Sequence, residues 1–187
     1  MARLPDRAVV VPGETVFLRA YDDGDLALLR TAFADDDIVR WNPGPVPPET
    51  AQSWMARRVD WSAGDHASWA LAAPDGSLVG SMSLHRIDWE QADAEIGYWT
   101  APWARRRGFA ADGLALATRF AHDSLGLNRV YLYHAVGNPA SCAVATRAGY
   151  RHEGTLRKSH RYPDGQYHDE HLHAHLADDE VPHPPAP

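Results

Sequence analysis

The segment Arg105-Arg106-Arg107-Gly108-Phe109-Ala110 sets three guanidinium groups and a glycine just ahead of a run with helical periodicity. The first N–H groups of a helix lack internal partners and sit at the positive end of its dipole, so such a turn can hold a pyrophosphate. Gly108 would let backbone approach the phosphates while the arginines neutralise them. A second group is His171, His173 and His175, at i, i+2 and i+4, which a strand would place on one face with Leu172, Ala174 and Leu176 turned inward. Same-face residues of one strand lie ~6.5 to 7 Å apart, too wide for a compact tetrahedral zinc site. No metal is therefore expected, and a surface face or homodimer contact is the preferred reading. Cys142 is the single cysteine, which excludes an internal disulfide and a multi-cysteine zinc site.

The elements that must position these groups follow from periodicity and turn chemistry. Residues 15–21 alternate as a strand, and Asp22 caps a helix carrying Leu26, Leu29 and Phe33 at helical spacing. Residues 42–48 form a proline-rich loop, and Pro48-Glu49-Thr50 opens a second helix, so two helices precede the main sheet. Residues 68–73, 78–87 and 92–100 read as an antiparallel meander whose first turn is Pro74-Asp75-Gly76-Ser77. A helix over 108–125, a strand over 129–136, a short helix from Pro139 to Gly149 and two strands around Tyr162-Pro163-Asp164-Gly165 complete the chain. This order predicts one α/β domain over 14–180, a mixed, mostly antiparallel sheet flanked by helices. It lies between an N-terminal arm, 1–13, and a disordered proline-rich tail, 181–187.

Composition agrees with a globular enzyme or binding domain. Of 187 residues 44% are hydrophobic, and 18 Lys+Arg against 25 Asp+Glu give a net charge of −7, which argues against a dedicated nucleic-acid binder. The charge is uneven: residues 103–161 hold ten basic and three acidic side chains, a basic segment inside an acidic protein. No apolar run approaches the ~18 residues of a membrane span, and the apolar patch Ala8 to Val11 is too brief for a signal-peptide core. The cytoplasm is the expected compartment.

With these motifs in place the chain resembles the GNAT (GCN5-related N-acetyltransferase) superfamily, whose coenzyme A signature is Gln/Arg-x-x-Gly-x-Gly/Ala at a strand-to-helix turn. Arg105, Gly108 and Ala110 match it. The RimJ/RimL-like branch is resembled through Ala94-Glu95-Ile96-Gly97-Tyr98-Trp99, Pro102, Asn138-Pro139-Ala140-Ser141, Gly149-Tyr150-Arg151-His152-Glu153-Gly154, Arg157 and Asp164-Gly165 to Asp169. The resemblance spans approximately residues 15–179. It implies an acyltransferase that moves an acetyl group from acetyl-CoA to a primary amine, on a protein N-terminus or a small molecule, by direct attack in a ternary complex. It also implies that Arg105, Arg106, Arg107, Gly108, Phe109 and Ala110 cradle the coenzyme A pyrophosphate. Thr100 would lend backbone groups to the pantetheine, and Asn138 and Ser141 would flank the thioester. Asn138 before Pro139 is equally a helix-starting signal. A non-catalytic acyl-CoA-binding module, a succinyl or other acyl transferase, and an RNA-contacting domain are the competing readings.

Thioester aminolysis needs a neutral amine, a stabilised oxyanion and a tolerable thiolate. A lysine of pKa ~10.4 is about one part in ~2500 neutral at pH 7, whereas an α-amine near ~7.8 carries a far smaller deficit. Glu95 is the leading base, because alternation turns Ala94, Ile96 and Tyr98 to the core and Asp93, Glu95, Gly97 and Trp99 to the other side. An ordinary strand carboxylate is the alternative. Many members of the superfamily carry a tyrosine seven residues after the Asn, where this chain has Ala145. That departure moves the thiolate donor to Ser141, with Tyr131 and Tyr133 as weaker candidates. His134 is read as a second base, an orienter of Ser141, or a buried hydrogen-bonded histidine. Trp41, Trp54, Trp61 and His85 are pocket candidates that the sequence does not place.

Overall fold

The structure is a computed structural model that describes residues 4–42 and 51–179. The proline-rich tail, the expected helix start at 48–50 and all but the first residue of the 42–48 loop lie outside the described residues. Seven strands form one sheet: β1 (Phe17–Arg19), β2 (Ala67–Ala72), β3 (Leu78–Asp88), β4 (Asp93–Thr100), β5 (Arg129–Ala135), β6 (Arg151–Arg161) and β7 (Tyr167–Leu176). Their order is β1-β2-β3-β4-β5-β7-β6, antiparallel throughout except for β4 against β5.

Among the described residues three α-helices, not two, lie ahead of the meander: α1 (Leu26–Ala32), α2 (Asp36–Trp41) and α3 (Ala51–Val59). Asp22 caps as expected, accepting from Gly24 N at 2.8 Å, although it caps a 3-10 turn at Asp23–Asp25 that leads into α1. The extra helix, α2, begins at Asp35, whose side chain accepts from Ile38 N at 3.0 Å. Its six residues are too few to show a helical period, which is why the sequence conceals it. Asp35-Asp36-Asp37 is nonetheless an N-terminal signal for a helix.

Behind the meander, α4 (Phe109–Arg119) crosses the sheet at close range. A Cβ on Gly113 would stand 2.6 Å from Leu71 Cδ1 and 2.9 Å from Met82 Cε, so a larger residue at this crossing would have to displace those side-chain ends. The single helix expected to reach Leu125 ends instead in a π turn, Phe120–Ser124. The arm is not loose over its described part. Leu4 is buried, Val11 pairs with Leu18, and Val9 O accepts from Trp69 Nε1 at 2.9 Å.

The β7 histidines depart from expectation. His173 is 1% exposed and His175 2%, while Leu172 and Leu176 are only half-buried, so this face is not a solvent surface. β7 is an interior strand, flanked by β5 and β6, and α5 (Pro139–Arg147) lies against the face that carries the histidines.

Candidate active-site cleft

The decisive feature is where β4 and β5 part. They pair only through Asp93↔Arg129, Ala94↔Val130 and Glu95↔Tyr131, although β4 runs on to Thr100 and β5 to Ala135. On its other side β4 stays bonded to β3 as far as Gly80↔Thr100. From Gly97 to Thr100 one backbone edge therefore lacks a strand partner and can hydrogen-bond an extended ligand. The divergence opens a cleft of about 1140 Å³ between the strands, reaching the starts of α4 and α5.

At one end lies the arginine turn. Gly108 caps α4 with φ +84, and Arg106 also sits in the left-handed region at φ +60. The amides of Ala111 and Asp112 return to Gly108 O, so those of Gly108, Phe109 and Ala110 are the ones a helix start leaves without internal acceptors. The three arginines do different things. Arg105 is bound to Asp35 and, at 3.2 Å, to Asp37, tying the turn to α2 rather than standing open to an anion. The Arg107 guanidinium lies 4.5 Å from the Phe109 ring centre, and Arg106 is exposed. A fourth arginine, Arg147 at the end of α5, brings Nη2 to 3.2 Å from where a Gly108 Cβ would stand. Asp112, 3.8 Å away, balances it weakly.

Midway along the cleft, Asn138 caps α5 by accepting from Ser141 N at 3.2 Å. The Ser141 hydroxyl lies 2.8 Å from the Tyr98 phenol oxygen. Tyr98 is thus not simply a core residue, as alternation suggests; its ring spans from β4 to α5. Burial pushes its phenol up to about 12. His134 lines the cleft, but its Nδ1 donates to Ala135 O at 2.8 Å and its Nε2 faces His173. The expected pairing of His134 with Ser141 is therefore not formed. Tyr133 reaches the cleft wall, whereas Tyr131, on the same face of β5, packs edge-on against it without lining the cleft.

At the far end Glu95 is held between His85 Nε2 at 3.2 Å and Arg86 Nη1 at 3.0 Å. Burial alone would raise its pKa, but the His85 hydrogen bond and the nearby positive charges outweigh it and hold the carboxyl below its usual range. Trp41 and His85 line this end, while Trp54 and Trp61 belong to the core. His160 also lines it, with a buried Nε2 that has no hydrogen-bond partner among the described residues. Glu170 accepts from Tyr162 Oη at 2.9 Å and Ser159 Oγ at 2.8 Å.

An Acetyltransferase (GNAT) domain profile matches residues 15–151, most of the chain. The chain belongs to the GNAT acetyltransferase family. A putative ribosomal N-acetyltransferase, YdaF of Bacillus subtilis (strain 168), is 41% identical over 95 residues, about half the length of each protein. The spermidine N(1)-acetyltransferase of Vibrio cholerae is 29% identical over 93 residues, 50% of this chain and 53% of that protein. Among solved structures, Mycobacterium smegmatis RimJ in complex with CoA-disulfide superimposes with a TM-score of 0.77 at 26% identity, covering 87% of this chain and 82% of that one.

Within this GNAT domain, the cleft residues that escape the sequence reading include Tyr98, Arg147 and His160. The Arg147 charge stood inside the basic segment, 39 residues after Gly108, and nothing local aims it there. Tyr98 looked like an inward residue of an alternating strand, and only the divergence of β4 from β5 gives its hydroxyl a partner. For His160, on an edge strand rich in charge, sequence carries no signal.

Proposed function

We propose that the protein transfers an acetyl group from acetyl-CoA to a primary amine, on a protein N-terminus or a small molecule, by direct attack within a ternary complex. The observation that carries this reading is the parting of β4 from β5 beyond Glu95. It aligns a cationic helix start, an unpaired strand edge, a hydroxyl pair and an anionic carboxylate along one cleft. The pyrophosphate would rest on the amides of Gly108 to Ala110 beside Arg106, Arg107 and Arg147, and the pantetheine amides would bond the free edge ending at Thr100. This delivers the thioester to Ser141, between the two ends.

The amine nitrogen attacks the thioester carbon, the C–S bond breaks, and the electron pair leaves on sulfur. A phenol held near 12 does not protonate a thiolate of pKa ~8.5, so Tyr98 acts by hydrogen bonding. By donating to Ser141 Oγ it frees the serine proton for the sulfur. Glu95, kept ionised by His85 and Arg86, attracts the protonated amine and positions the water through which its proton passes to solvent. Relatives named as a putative ribosomal N-acetyltransferase and a spermidine N(1)-acetyltransferase support an amine acceptor without choosing between the two classes. A cytoplasmic setting, without direct membrane or nucleic-acid binding, belongs to the same proposal.

Thiol release from acetyl-CoA and succinyl-CoA, measured against a panel of peptide N-termini and polyamines, tests the reading. Turnover with acetyl-CoA and an amine is expected. Acetyl-CoA binding without turnover on any acceptor would identify a binding module, and turnover with succinyl-CoA alone would reassign the donor.

A further inference from the structure

Beneath the thioester position lies a cluster that the acetyl-transfer chemistry does not use. His134 from β5, His171 and His173 from β7 and Cys142 from the first turn of α5 each offer one donor atom, and all four atoms lie within 4.8 Å of one another. Same-strand spacing does not limit this cluster, because its donors come from three elements. β5 pairs His134 with His171 and Leu132 with His173, so cross-strand neighbours supply what one strand cannot. His134 Nε2 stands 3.3 Å from His173 Nε2, and Cys142 Sγ 3.8 Å from the same nitrogen. A tetrahedral zinc with Zn–N near ~2.0 Å and Zn–S near ~2.3 Å has edges of about 3.3 and about 3.6 Å.

The protonation pattern points the same way. A carbonyl only accepts, so His134 Nδ1–H must donate to Ala135 O, and in the neutral ring Nε2 is then a lone pair facing the cluster. A backbone carbonyl on the far nitrogen is also the usual support that fixes a metal-binding imidazole. Among the described residues the buried Nδ1 of His171 has no hydrogen-bond partner, an unusual state for a polar group in a folded interior.

We propose that His134, His171, His173 and Cys142 bind one transition-metal dication of the zinc class in a closed, four-ligand site. Binding forms three metal–nitrogen bonds and one metal–sulfur bond and releases the Cys142 thiol proton to solvent, with no electron transfer. A site with four protein ligands and no open position is structural. It would clamp the first turn of α5, which also carries Ser141, onto β5 and β7.

The test reads the metal rather than acetyl transfer. Untagged protein, stripped with chelator and titrated with Co²⁺, should take up one equivalent with the strong visible bands of a four-coordinate site and a thiolate-to-cobalt charge-transfer band. Zn²⁺ should displace it. Cys142→Ser should abolish the charge-transfer band, and His173→Gln and His171→Gln should each weaken zinc binding by at least about 100-fold. His66→Ala, outside the four-residue cluster, should leave zinc binding unchanged. Absence of a charge-transfer band in the native protein would overturn the site, as would equal zinc affinity in the native, Cys142→Ser and His171→Gln proteins, which would show adventitious binding to surface histidines. Cys142→Ser is nearly isosteric, so the test survives even if His173→Gln does not fold.

Discussion

Glu95 and the Ser141–Tyr98 pair carry the predictions made at the scale of the residue. Glu95→Gln keeps size and hydrogen-bonding capacity but removes both the charge and the proton acceptor. If Glu95 removes the amine proton, kcat should fall while donor affinity holds, and the ratio of native to variant activity should shrink as pH rises and the amine deprotonates unaided. The ratio should be larger for a lysine-like amine than for an α-amine, whose deprotonation deficit is ~3 kcal/mol smaller. A ratio independent of pH would leave Glu95 with electrostatic attraction alone. For Ser141→Ala the expected loss in kcat is about 10- to 100-fold, the worth of one hydrogen bond to a charged group, with acetyl-CoA affinity nearly intact. Tyr98→Phe should cost less, because Ser141 retains its own proton. A collapse of donor affinity in Ser141→Ala would make the residue a helix-start anchor instead.

The junction of α4 with α2 and α5 sets the behaviour of the phosphate turn. Gly108→Asp places a carboxylate against phosphate at a φ of +84, and calorimetric titration should show acetyl-CoA affinity reduced by more than about tenfold. Arg147→Ala should lower the same affinity by about 10- to 100-fold, as loss of one charge-assisted contact. Arg105→Ala should behave differently. Its guanidinium is engaged by Asp35 and Asp37, so its removal frees α2 and should raise KM for the acceptor more than for acetyl-CoA. An equal effect on both substrates would return Arg105 to the phosphate site. At the sheet edge, β6 has features that disfavour pairing with another chain: interrupted register, a φ of +49 at Lys158 and basic side chains at Arg151, Arg157 and Arg161.

For the whole molecule, the buried histidines make stability depend on acid. His134, His173 and His175 all have pKa values lowered by burial, with the facing imidazoles adding to the effect. Glu170 beside His134 and Asp179 beside His175 oppose the shifts without cancelling them. The unfolded chain binds protons near pH ~6.5 that the folded chain refuses, so this contribution is fully present above that pH and is lost as pH falls toward about 4, the value for His173. With chelator present, Tm should decline across that window, each kcal/mol lost lowering it by about 2–4 °C. The decline should be shallower in His173→Leu. A flat profile between pH 7 and 4.5 would mean that the cluster opens to water and accepts protons without unfolding.

Much of this molecule was determined by sequence alone, because local rules were obeyed locally. The meander and the α4–β5–α5 succession follow from alternation, helical spacing and turn residues such as Pro74-Asp75-Gly76-Ser77, and the turn that opens α4 follows from Arg105 to Ala110. Tertiary structure decided what depends on approach between distant segments. Arg105 is claimed by α2, a helix too short to leave a period, and Arg147 comes to the turn from α5. Tyr98 gains a hydroxyl partner only because β4 and β5 part company after Glu95. The histidines of β7 looked like a solvent face because period 2 gives a face but not its environment. Pairing with β5 and the packing of α5 bury them beside Cys142, since strand neighbours stand closer than same-face residues along one strand.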